Sequence, residues 1–151
     1  MLSHIEIIKN AKINNYKKIL VLEDDIFFIN NFEVYLQHIR QLKDWKLLYF
    51  GGTQYEWKDR DYIDNFYYAK KTLGTFAYAI DCSIFDEIIE FNKEKSIDNY
   101  LATLQDKYYK QCYVFYPNIC IADVSVSSIR EFTNSVTFVS SSPPLTKPLI
   151  K

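Results

Sequence analysis

Residues 17–28 read KKILVLEDDIFF, and this stretch constrains the fold more than any other. Ile19 to Leu22 form a continuous apolar run, the pattern of a strand covered on both faces. Three acids, Glu23, Asp24 and Asp25, follow at once. Carboxylates packed this closely repel one another, so their placement at the end of a strand calls for a positive partner. In open α/β sheets ligands sit beyond the carboxyl ends of the strands, where these acids fall. Hard carboxylate oxygens suit Mg²⁺ or Mn²⁺ carrying a diphosphate, although an acidic triplet by itself also describes a solvated turn.

The rest of the chain supplies helices and strands in alternation. Ser3 and Glu6 have capping-box spacing ahead of Ile5, Ile8 and Ala11, which predicts a first helix. Asn30 or Asn31 can cap a second over FEVYLQHIRQL, and WKLLYFGG reads as a strand closed by a Gly-Gly turn. FYYAKK and FAYAID flank LGT and are expected to pair, as a hairpin or a strand pair. Ser83 and Asp86 introduce a third helix, SIDNYLATLQDKYY is a fourth, and QCYVFYP with NICIA closes the series as one or two strands. Helices interleaved with apolar strands predict an α/β layer fold with a mixed sheet.

At 151 residues the chain is one ordinary domain, able to bury a core without disulfide or structural metal. Its net charge of -1 offers no basic stripe, which argues against nucleic acid as a partner. Cys82, Cys112 and Cys120 form no CxxC pair and read as small core residues of a reducing compartment. No window approaches the roughly 20 apolar residues of a membrane span, and the amino terminus lacks a signal-peptide core. The expectation is a soluble, cytoplasmic protein. The 17% of aromatic residues can serve as sugar platforms, but an aromatic core is the plainer reading. From 139 to 151 the chain carries three of its four prolines and reads as an extended Pro/Ser-rich tail behind a domain of residues 1–138.

KKILVLEDD resembles the opening strand of response-regulator receiver domains. That family also needs a phosphoryl-accepting aspartate at the end of a strand some forty residues on, where LLYFGG ends in glycines. A longer resemblance runs through LSHIEIIKNA, VLEDD, LLYFGG, GTFAYAI, SIDNYL and YPNICIADVSVSSIR, in that order, from residue 2 to about 130. These blocks resemble glycosyltransferase family 25, the lipooligosaccharide and procollagen galactosyltransferase type. The resemblance implies a GT-A-like, Rossmann-like mixed sheet flanked by helices, a UDP-sugar donor, a glycan or glycoprotein acceptor, and Mn²⁺ or Mg²⁺.

Carried over residue by residue, VLEDD matches the DXD-like motif. Glu23, Asp24 and Asp25 then hold the donor diphosphate, with Asp25 and Glu23 on the metal. His4 falls near the donor, while Gly74, Thr75 and Tyr78 match a block on the acceptor side. Asp98 is the expected general base for transfer with inversion of galactose or glucose, and a cap of its helix is the competing role. Asp123 corresponds to a family acid near the end of the domain. Where the family commonly has Ser-Asp-Ile, this chain reads Ser127-Ser128-Ile129. Family members also carry βα units ahead of the LSH helix. Their absence here predicts a bare sheet edge and, with it, self-association or a covering partner. Two other readings stand beside the transferase: a degenerate, noncatalytic binding or assembly module, and a metal-dependent phosphotransfer or hydrolase domain, which lacks any second acidic cluster.

Overall fold

A computed structural model describes residues 2–56, 62–91 and 96–122. Asp123, the Ser127-Ser128-Ile129 stretch and the 139–151 tail lie outside them.

The chain opens with helix α1 (Leu2–Ile13), which buries Ile5, Ile8 and Ala11 along one stripe. Ser3 sits inside its first turn, not at its cap, and Glu6 pairs with Lys9 at 2.7 Å, so the expected capping box does not form. The helix stops at Asn15, whose φ of 58° is left-handed. Asn15 N–H bonds to Lys12 C=O and Tyr16 N–H to Ala11 C=O, the paired bonds of a Schellman ending. Strand β1 (Lys18–Leu22) and the short β2 (Ile26–Phe28) follow, joined through a turn at Asp24 and Asp25. The predicted second helix is α-helical only over α2 (Phe32–Leu36) and tightens to a 3-10 turn over Gln37–Gln41. Asn31 stands at its cap in a left-handed conformation without a side-chain bond, which leaves the first turn weakly fixed.

β3 (Leu47–Tyr49), β4 (Thr53–Gln54), β5 (Tyr62–Ile63), β6 (Phe66–Tyr68), β7 (Thr72–Leu73) and β8 (Ala77–Asp81) come next. α3 (Phe85–Glu90), α4 (Ile97–Lys107), β9 (Cys112–Phe115) and β10 (Cys120–Ala122) complete the described chain. Six strands form the main sheet in the order β1-β8-β3-β9-β6-β5, with β10 on β2 and β4 on β7 in two small ribbons. Among the described strands only the β3–β9 pair is parallel, so the architecture is a mixed α/β layer fold of Rossmann-like type.

Side-chain alternation along the strands divides the core in two. Leu47, Tyr49, Tyr78, Ile80, Cys112 and Val114 face α1, α3 and α4. Leu48, Phe50, Ala77, Ala79, Tyr113 and Phe115 face the other way, against Leu42, Trp45 and the residues around α2. Buried in these layers, the Cys112 thiol is pushed up to about 12 and that of Cys120 to about 11, while Cys82 is half-buried; all three are free.

Two sequence expectations are corrected here. β6 and β8 do not pair with each other: β8 lies between β1 and β3, and β6 lies beside β9. β1 is not covered on both faces either. It is an edge strand in which Val21 is buried but Leu20 and Leu22 are 45% and 42% exposed, because the second core layer does not extend beneath it.

Candidate functional site

β1, β3 and β9 share one direction, since β1 and β3 both run antiparallel to β8 and β3 runs parallel to β9. Their carboxyl ends therefore meet at one rim, together with the residues that lead into β8. Glu23 lies at this rim just past β1, where its N–H bonds to Phe76 C=O at 2.8 Å and carries the β1–β8 ladder one step further. The backbone bond leaves the carboxylate half-buried, while Asp24 and Asp25 in the following turn are exposed.

The Glu23 side chain meets His4, which α1 delivers from the other side. His4 Nε2 is 3.4 Å from Glu23 Oε1, and His4 Nδ1 is 3.0 Å from the hydroxyl of Tyr78. Burial holds the imidazole below its ordinary value against the opposing charge of Asp98, which favours the neutral ring. A neutral ring has one N–H, and the Glu23 carboxylate can only accept, so the proton belongs on Nε2 and Tyr78 donates to Nδ1. Burial, assisted by the charges of Asp98 and Glu23, pushes the Tyr78 phenol well above its usual range and keeps that donor protonated.

Tyr78 is fully buried, its ring stacked beside His4 at 5.9 Å between centroids. No face of the ring is open to a sugar, in keeping with the plainer reading of the aromatics as core, and its hydroxyl orients His4. Gly74 has a φ of +117°, and a Cβ added there would meet the Phe76 ring at 2.8 Å and Gly52 Cα at 3.1 Å. The turn itself requires glycine at this position. Thr75, next in the chain, is buried at the same rim.

Asp98 enters from α4. Ser96 is the N-cap of that helix and accepts from Asn99 N–H, so the capping role does not fall to Asp98. Its Oδ1 instead accepts Gly74 N–H at 3.1 Å. Asp98 stands in the first turn of this eleven-residue helix. Burial first, and then the charges of Asp25, Asp98 and Asp24, hold the Glu23 carboxyl above its ordinary range, so all four acids lie in one electrostatic field.

That field is the observation against which a cation can be judged. Among the described residues no three His, Cys, Asp or Glu side chains stand together as an all-protein metal cage. One or two carboxylates with a diphosphate completing the shell is another mode of divalent binding, and the half-buried, mutually repelling Glu23 with Asp25 beside it fits that mode.

Reasoning from sequence missed the polar residues beneath the rim. Gln105, Gln54, Thr72 and Tyr49 are all buried and joined by hydrogen bonds. The signal was present in α4, where Gln105 falls four residues after Leu101 and eight after Ile97, a polar side chain on an otherwise apolar stripe.

The family model for glycosyltransferase family 25 (LPS biosynthesis protein) matches residues 1–114 of the 151. The chain belongs to glycosyltransferase family 25. The matched span holds His4, Glu23, Asp24, Asp25, Gly74, Thr75, Tyr78 and Asp98, and Asp123 lies beyond it. No curated protein matches the chain. Membership in family 25 makes glycosyl transfer the chemistry of its class, with a sugar donor and an acceptor as reactants. No helix among the described residues is long and apolar enough to cross a membrane.

Proposed function

We propose that this chain transfers galactose or glucose from a UDP-sugar to a hydroxyl of a glycan or protein-linked acceptor, with inversion, in a GT-A-type site assisted by Mn²⁺ or Mg²⁺. The observation that supports this reading is that two acids far apart in the chain reach one short stretch leading into β8: Asp98 accepts Gly74 N–H at 3.1 Å, and Glu23 N–H bonds to Phe76 C=O at 2.8 Å. The proposed reaction needs one carboxylate to take a proton and others to manage the charge of a leaving diphosphate, and Glu23, Asp24, Asp25 and Asp98 are the candidates for both tasks.

Asp98 takes the proton of the acceptor hydroxyl. The acceptor oxygen forms the new bond to the anomeric carbon, and the bond from that carbon to the diphosphate breaks, its electron pair leaving with UDP. Gly74 N–H holds Oδ1, so Oδ2 is the atom assigned to the proton. Asp25 and Glu23 would hold the cation, whose chemistry there is to neutralise the departing diphosphate. His4, fixed by Tyr78, aims its Nε2–H at Glu23 and limits the rotation of that carboxylate.

The test is release of UDP from UDP-galactose and UDP-glucose in the presence of Mn²⁺. Asp98→Asn preserves the acceptor for Gly74 N–H and removes the base, so turnover is expected to fall on the order of 10²- to 10⁴-fold with UDP affinity unchanged. Equal turnover in Asp98→Asn and the wild-type chain would reject Asp98 as the base. UDP binding with no turnover of either donor would favour the noncatalytic module.

A further inference from the structure

Asp98 is tied to Gly74, and Gly74 is tied to something deeper. The preceding strand β7 pairs with β4 on one side, with Gln54 opposite Thr72 and Thr53 opposite Leu73. The N–H and C=O of one strand residue point to the same side, and those of Thr72 point away from β4 toward α4. Among the described residues no strand lies there. Gln105 takes its place: Oε1 accepts Thr72 N–H at 2.9 Å, and Nε2 donates to Thr72 C=O at 2.8 Å.

The same Nε2 also donates to the hydroxyl of Tyr49 at 2.9 Å, which locks the amide in one orientation. Gln105 is only 1% exposed, and a buried primary amide is costly unless its polar atoms are satisfied, as they are here. On the far side Thr72 Oγ1 donates to Gln54 Oε1 at 2.7 Å, so Thr72 is held from two directions. Gln105 lies seven residues after Asp98, about two turns along the same face of α4. One helix thus grips one short segment twice, at Thr72 through Gln105 and at Gly74 through Asp98.

We propose that Gln105 is a positioning residue of this site: its amide stands in for a strand partner of Thr72 and thereby sets where Gly74 N–H meets the Asp98 carboxylate. The proposal rests on the reading of Asp98 as the base, and it adds a residue that touches neither donor nor acceptor. Leu73 alone separates Thr72 from Gly74, so a shift at the clamp reaches Gly74 directly. Glu23 and Asp25, to which the proposed function gives the cation, follow β1, whereas the bonds of the clamp run between Gln105 and Thr72.

The experiment compares the full chain with Gln105→Met, alone and in an Asp98→Asn background. It reads amide hydrogen exchange at Gly74 and in β3, calorimetric UDP affinity with Mn²⁺, and hydrolysis of UDP-galactose. Gln105→Met is expected to speed Gly74 exchange about tenfold, leave β3 protection and UDP affinity unchanged, and lower hydrolysis about tenfold. In the Asp98→Asn background the same substitution is expected to cost less than about twofold, since the carboxylate it positions is already gone.

Unchanged Gly74 exchange, or an equal loss of hydrolysis in both backgrounds, would overturn the proposal; a purely structural role gives the second result. Gln105→Glu keeps the comparison valid should Gln105→Met fail to fold. Its protonated form can still accept from Thr72 N–H and donate to Thr72 C=O, so Gly74 protection should persist at low pH and be lost as the carboxyl ionises. A wild-type chain that turns over no UDP-sugar would sink the functional reading instead, and the exchange measurement, which needs no turnover, then supports or overturns the clamp by itself.

Discussion

Tyr78→Phe deletes one oxygen from the core, and the structure assigns that oxygen to His4. The buried hydrogen bond to Nδ1 is expected to contribute about 1 kcal/mol, read as a shift in denaturation midpoint at constant slope. An unchanged midpoint would mean that the Tyr78 hydroxyl contributes nothing through His4. Gly74→Ala is expected to destabilise by more than about 1 kcal/mol, because it places a Cβ at positive φ and against the Phe76 ring. A denaturation curve superimposable on the wild type would contradict that. Glu23, Gly74 and Asp98 could be singled out in the sequence as candidates because short motifs carried them. What each one bonds to was not, since Asp98 finds Gly74 across 24 residues and His4 finds Tyr78 across 74.

Elements were legible wherever local periodicity decided them, and illegible where pairing was long-range. α1 and α4 follow their apolar spacing, and Ser96 caps α4 as its type predicts. β6 and β8 each looked like strands, yet no local signal could show that β3 and β9 stand between them. The edge position of β1 was hidden for a similar reason, since ILVL reads alike whether or not a layer covers its second face. One link at that edge is testable by pH. Asp81, at the end of β8, is pushed up by burial, but bonds from Ser83 and the nearby Lys18 at 3.3 Å outweigh this and hold it below its ordinary value. A carboxyl lowered in the folded chain contributes stability above its unfolded pKa and loses it as pH falls through the folded one. Asp81→Asn should therefore reduce stability at neutral pH and flatten the acid limb of the unfolding curve. An acid limb identical to that of the wild type would remove Asp81 from the account.

At the scale of the whole molecule, the site is assembled from four distant parts: α1 brings His4, the end of β1 brings the acids, the β7–β8 turn brings Gly74, and α4 brings Asp98. The shared direction of β1, β3 and β9 collects them at one rim, and family membership gives the chain its class of chemistry. In the proposed function the acidic triplet holds a nucleotide diphosphate through a divalent cation. Calorimetric titration of UDP into the chain, with and without Mn²⁺ and alongside Asp25→Ala, tests it most directly. The account predicts binding that requires the cation and disappears in Asp25→Ala. Binding that persists without Mn²⁺ or in the variant, or no binding under any condition, would contradict it.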